Sequence, residues 1–142
     1  MSFWNRLFGR HRADLRPQRL DYLNEALALE RQGDYNAALT SYRLALRDDP
    51  TDLRVLQNMA IAYTKTNRVE EAIRTYRRAL ELDAELPGAH YGVAFLLLKR
   101  GDADTAVEHL RAFLARPPRG TDAQPWIAHA EAALRDVEGH SA

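Results

Sequence analysis

Apolar residues recur along the chain at helical spacing, in blocks of about a dozen residues separated by short polar breaks. Asp21 to Gln32, Leu53 to Thr66 and Gly88 to Arg100 each carry apolar side chains three and four positions apart, which predicts amphipathic helices. Behind each comes a pair, Gly33-Asp34, Asn67-Arg68 or Gly101-Asp102, and then a second periodic segment of similar length. Glycine suits the left-handed residue that ends a helix, and asparagine is its usual substitute. Asp34 and Asp102 are expected to accept the free amide hydrogens at the start of the next helix. Pro50 and Pro118 stand where a second helix must stop, and Pro87 fits a first turn.

The blocks repeat. "GDYNAALTSYRLALRDDP" from Gly33 returns as "NRVEEAIRTYRRALELDA" from Asn67 and as "GDADTAVEHLRAFLARPP" from Gly101, a step of 34 residues each time. Ala38, Ala72 and Ala106 coincide, as do Leu39, Ile73 and Val107, then Tyr42, Tyr76 and Leu110. Upstream, Ala26, Ala60 and Ala94 fall in register, followed by Leu29, Tyr63 and Leu97. Small residues let two helices approach closely, and the large ones fill the gap to the next pair. This pattern and its period resemble the tetratricopeptide repeat family. The resemblance implies an all-α fold, a right-handed superhelix of stacked antiparallel helix pairs. The expected division is an N-terminal segment 1–18, repeats 19–52, 53–86 and 87–120, and a capping helix with a short tail, 121–142. Tyr22, Leu56 and His90 stand where the family often has tryptophan, and Ala84 replaces a proline. Phe113 replaces a small residue, so the last repeat is expected to pack against something bulkier than another repeat. The cap follows from Pro125 at a helix start and apolar Ile127, Ala130, Leu134 and Val137, which would cover the open end of the stack.

Composition narrows the function. The 142 residues hold twenty basic and twenty acidic side chains, a formal charge of zero. A general nucleic-acid binder carries a basic excess, so none is expected here. Without cysteine there is no disulfide or thiolate chemistry. The longest apolar run, Val93 to Leu98, is far too short to span a bilayer, and the expected location is cytoplasmic. No phosphate loop, dinucleotide fingerprint, zinc-protease helix or serine-nucleophile elbow occurs. His11, His90, His109, His129 and His140 include no pair four apart, and Glu70 and Glu71 are explained by the positive end of a helix. The chain is therefore read as no enzyme, with no cofactor and no metal.

Binding remains. In the tetratricopeptide family the first helix of each pair lines a concave surface, and the resemblance carries the lining onto named positions. They are Leu23, Leu27 and Arg31 in the first repeat, Arg54, Gln57, Asn58, Ile61 and Lys65 in the second, and Tyr91, Phe95, Leu98 and Lys99 in the third. Some members grip a chaperone's C-terminal carboxylate with lysine, asparagine and arginine at such steps; only Asn58 matches, so that ligand is not expected. The apolar strip with basic neighbours suits an amphipathic helix or extended peptide with apolar anchors and some acidic residues. Gly88 and Gly92, four apart on one helix, favour a close approach there. The competing reading is that these apolar residues are core.

The terminus "MSFWNRLFGR" poses a separate question. Phe3, Trp4, Leu7 and Phe8 share one helical face, flanked by Arg6 and Arg10. Four destinations stay open: peripheral contact with an anionic membrane, a partner protein, the protein's own groove, and the first repeat as a cap. A homo-oligomer assembled through its repeats is the rival class to a peptide-binding adaptor.

Overall fold

The computed structural model describes residues 21–140, and the attachment residues Phe3, Trp4, Arg6, Leu7, Phe8 and Arg10 lie outside them. The described residues form seven α-helices and one 3₁₀ turn. They are α1 (Tyr22–Arg31), α2 (Tyr35–Asp48), α3 (Leu53–Lys65), α4 (Val69–Leu82), α5 (Pro87–Arg100), α6 (Ala103–Ala115), η1 (Thr121–Ala123) and α7 (Gln124–His140). The chain divides into two compact units after Val55, within α3.

In the first unit α1 and α2 pack as a hairpin. Ala26 and Ala38 are wholly buried, so the two backbones can lie close. Gly33 turns the chain at φ 80°, and Asp34 Oδ1 then accepts a hydrogen bond from the Ala37 amide at 3.2 Å. Asp34→Ala removes that cap and is expected to cost about 1 kcal/mol. Buried Tyr42 donates to Glu30 Oε2 at 2.8 Å; burial first, and then the carboxylate, hold its phenol far above the usual tyrosine range. The helix α2 stops because Asp49 is extended (φ −140°), the conformation a following proline requires.

In the second unit α4, α5, α6 and α7 pack in succession. Asn67 (φ 60°) and Gly101 (φ 95°) take the left-handed turns as expected. Asp102 departs from expectation: it caps no amide. Its Oδ2 takes Arg100 Nε at 2.6 Å, while Arg100 Nη1 reaches Glu70 Oε2 at 3.0 Å. A charge-assisted bond to a guanidinium outcompetes an amide donor. Asp102→Ala therefore costs about 0.5 kcal/mol or less, and urea denaturation of both alanine variants checks the contrast. Where the family's proline is replaced by Ala84, Asp83 takes over: it is extended (φ −143°), and its Oδ1 accepts from the Glu85 amide at 3.1 Å.

Phe113, 1% exposed, shares its core with Ala94, Leu110 and Ala130, and Ile127 and Leu134 of the cap pack against the same cluster, whereas the expectation for Gly92 is corrected. Close packing needs the volumes on facing helices to complement each other, and Ala130 supplies the room. Gly92 does not open the groove. A Cβ there would stand 2.6 Å from Tyr76 Oη and 2.7 Å from Tyr76 Cε2, so the glycine is the seat of a buried tyrosine whose pKa burial pushes up to about 12. A Cβ on Gly88 would meet only Gln57 Oε1, at 2.8 Å, the far end of a flexible side chain.

His90, at the family's tryptophan position, meets His109 across α5 and α6. The two Nδ1 atoms are 3.0 Å apart, and His90 Nε2 lies 2.7 Å from the Ala84 carbonyl oxygen. With both rings neutral, His90 donates through Nε2 to that carbonyl and accepts through Nδ1 from His109. Burial lowers the His109 pKa, with His90 and Arg77 adding to the effect and Glu108 opposing it. The unfolded chain then binds the proton first. The stability held by the neutral ring is full above the ordinary value of 6.5 and is lost as pH falls below it towards the folded pKa. His109→Gln, which can still donate to His90, should flatten the stability curve just below pH 6.5 in denaturant titrations.

Candidate functional site

The expected groove residues fall on both units. In the first, Leu23 is core at 9% exposure, Leu27 is half-buried, and Arg31 and Arg54 are exposed. Leu23 is thus corrected from ligand contact to core. The reason is a helical step: it stands three residues before fully buried Ala26, on the same face of α1.

In the second unit α3 presents Gln57 and Asn58 half-buried, Ile61 40% exposed and Lys65 exposed. Ile61 is the large apolar side chain of that helix that meets water. On α5, Tyr91, Phe95 and Leu98 pack against the Ala94–Leu110–Phe113–Ala130 core. They do not form a bare apolar strip, because α7 covers part of them. Lys99 donates to Asn67 Oδ1 at 2.6 Å, a neutral partner that leaves its charge uncancelled.

What α7 adds was not expected as part of the site. Trp126 meets Tyr91 edge-on with ring centroids 5.2 Å apart, and yet it is 53% exposed. His129 stacks on Phe95 at 4.3 Å with the rings 5° from parallel, and its Nδ1 lies 2.5 Å from the Tyr91 hydroxyl. Tyr91 also touches Phe95 at 4.8 Å and Phe113 at 5.3 Å, and burial raises its pKa. Five rings are joined from core to surface through Tyr91 and Phe95. Edge-to-face and stacked aromatic pairs are worth about 0.5–1.5 kcal/mol each beyond area burial, so this surface is stiff. It is also amphipathic, with the Tyr91 hydroxyl and the imidazole among the rings.

A sequence signal for His129 exists. Ile61, Phe95 and His129 lie at successive intervals of 34 residues, so one further step of the repeat reaches it. Trp126 has no such signal. Among the described residues, no three histidine, aspartate or glutamate side chains converge as a metal site, and no helix is long and apolar enough to cross a membrane.

Family models described as tetratricopeptide repeat match residues 29–91 and 94–139. Over 83 residues the chain is 39% identical to the photosystem I assembly protein Ycf3 of Parasynechococcus marenigrum (strain WH8102), covering 56% of this chain and 48% of that protein. A second Ycf3, from Prochlorococcus marinus subsp. pastoris (strain CCMP1986 / NIES-2087 / MED4), is 33% identical over 92 residues, covering 63% and 53%. The chain spans about half the length of the curated relatives it matches. Among solved structures, the Yersinia enterocolitica type III secretion chaperone SycD, in complex with a peptide of the translocator YopD, superimposes with a TM-score of 0.80 at 16% identity. That match covers 86% of this chain and 93% of SycD. The TPR2B domain of yeast Sti1 in its pHsp70 complex gives 0.73 at 19% identity, covering 84% and 95%. At these identities the likeness is one of fold.

Proposed function

We propose that this chain, which belongs to the tetratricopeptide repeat family, is a non-enzymatic adaptor that binds a peptide or amphipathic helix on the first-helix face of its second unit. The reading is supported by two water-exposed apolar side chains, Ile61 on α3 and Trp126 on α7, and by the joined aromatic rings on which Trp126 rests. A rigid aromatic surface binds at low entropic cost, since few rotamers are lost. Lys99, facing a neutral amide, favours a ligand with an acidic residue beside its apolar anchors. Neighbours of the same fold hold peptides, SycD one from YopD, which supports the class of ligand without naming it. The assembly role in the Ycf3 name is compatible with such a face, because an assembly factor must grip another chain. The lack of clamp residues argues against a chaperone's C-terminal tail.

Trp126 supplies its own reporter. Peptides selected from a random library on the full chain should shift or quench Trp126 emission in a Trp4→Phe background. Selected peptides that leave the emission unchanged would place binding elsewhere.

A further inference from the structure

The peptide face of the second unit carries polar groups as well as rings, and their chemistry is one-sided. Tyr91, Phe95 and Lys99 stand at four-residue steps on α5, so they share one side of the helix, about 6 Å apart along its axis. The cap α7 lays Trp126 against Tyr91 and His129 against Phe95.

His129 is held in two ways. The stack on Phe95, with centroids 4.3 Å apart and the rings 5° from parallel, sets the plane of the imidazole. The Tyr91 hydroxyl, 2.5 Å from Nδ1, sets its rotation within that plane. Burial raises the Tyr91 pKa, so the phenol keeps its proton and donates it to the more basic imidazole nitrogen. With Nδ1 an acceptor, the neutral ring carries its hydrogen on Nε2. The two nitrogens lie on different edges of the ring, so Nε2–H points away from Tyr91. His129 is exposed, and among the described residues its Nε2 has no partner.

The neighbouring polar groups are donors too. Trp126 Nε1–H donates and cannot accept. Lys99 Nζ gives one hydrogen to Asn67 Oδ1 at 2.6 Å, which leaves two. Carboxylates of the surrounding helices are engaged elsewhere: Glu70 and Asp102 hold Arg100, Glu138 holds Arg111, and Glu85 holds Arg116. Glu131, two residues from His129, leaves α7 on another side. Trp126, His129 and Lys99 thus present donors and one positive charge. A donor that a ligand covers without pairing weakens binding, so a ligand lying here has to bring acceptors.

We propose, on the reading of the face given above, that His129 is its specificity-determining residue. Its Nε2–H donates to the carboxylate of an acidic side chain within the bound peptide, beside the Lys99 charge. Tyr91 is the positioning residue that holds the ring in the required tautomer. A charge-assisted bond of this kind is shorter and stronger than a neutral one, which makes the edge selective for an acid.

The test uses the full chain with Trp4→Phe. Nitrogen-15 NMR at about pH 8, above the ordinary histidine range, reads which nitrogen of His129 carries the hydrogen, with His129→Gln assigning the signal. Hydrogen on Nε2 is expected, and Tyr91→Phe should mix the two tautomers. For binding, the probe is the tightest peptide selected on that chain from a random library, made with an amidated C-terminus so that all its carboxylates are side chains. It should contain aspartate or glutamate, and changing one such residue to alanine should weaken binding about tenfold. On His129→Phe, which keeps a ring stacked on Phe95, the same peptide change should cost about twofold or less. Tyr91→Phe should weaken the unchanged peptide about threefold. Hydrogen on Nδ1, a selected peptide without an acidic residue, or an equal loss on His129→Phe and the parent overturns the proposal and leaves the peptide face in place. A chain that selects no peptide, or peptides that leave Trp126 emission unchanged, overturns both.

Discussion

Phe113→Ala is expected to be among the most damaging single substitutions in the second unit. The ring is 1% exposed, enclosed by Ala94, Leu110 and Ala130, and in contact with Tyr91. Truncating a buried phenylalanine costs about 3–5 kcal/mol, a transfer loss plus a cavity that the surroundings fill only in part. Here collapse is hindered, because Ala94 and Ala130 have no side-chain length with which to fill the space. Against a total stability of about 5–15 kcal/mol this is a large share, and the melting temperature should fall by on the order of 10 °C. The loss should also loosen α7, which rests on the same core through Ile127, Ala133 and Leu134. Amide exchange would show this as lost protection along Gln124–His140 before the rest of the unit opens. A cost below about 1 kcal/mol would mean that Phe113 is not packed as described.

Gly92→Ala reverses the ordinary sign of a helix substitution. Replacing glycine by alanine inside an exposed helix gains about 1 kcal/mol from propensity alone. At this position the added methyl would strike the Tyr76 ring, closer than 3 Å to Cζ, Oη and Cε2. Tyr76 is itself buried, so its ring has little room to move. Overpacking of this kind costs about 1–3 kcal/mol and outweighs the propensity gain. The net expectation is a loss of about 1 kcal/mol in urea denaturation. In a Tyr76→Leu background, where the colliding atoms are gone, the same Gly92→Ala change should become neutral or stabilising. That change of sign separates a packing glycine from one that merely lends flexibility.

Most of the fold was legible because its signals are local and repeated. Alanines at 26, 60 and 94, the turn residues Gly33, Asn67 and Gly101, and prolines at 50 and 87 each act within one helix pair, and each does in the structure what its chemistry suggests. The turn aspartates show the limit of that reasoning. Asp34 caps as expected, but Asp102 is captured by Arg100, a partner two residues away whose reach no repeat pattern records. The glycine at 92 signalled a close approach correctly, and could not say that Tyr76, on the preceding helix, was what approached.

The peptide face was legible only in part, for a reason that lies in one loop. Residues 49–52 and 83–86 join earlier pairs in four steps, whereas 116–123, with its 3₁₀ turn, takes eight before α7 begins. The register of α7 against α5 is therefore not given by the 34-residue period alone. Tyr91, Phe95 and Leu98, expected to be open to a ligand, turn out to be shared with the cap, and Trp126 and His129 join them. Ile61 is exposed on α3, as the repeat pattern predicts for a first-helix position.

Ile61 and Leu82 offer the most direct comparison for peptide binding on the first-helix face. Both are exposed aliphatic residues, at 40% and 37%, but Ile61 lies on a first helix and Leu82 at the end of a second. With peptides selected on the full chain, isothermal titration of Ile61→Glu and Leu82→Glu against the parent protein would separate the two faces. Binding should be at least tenfold weaker for Ile61→Glu, about 1.4 kcal/mol, and unchanged for Leu82→Glu. Equal affinity for parent and Ile61→Glu, with both variants folded, would contradict it.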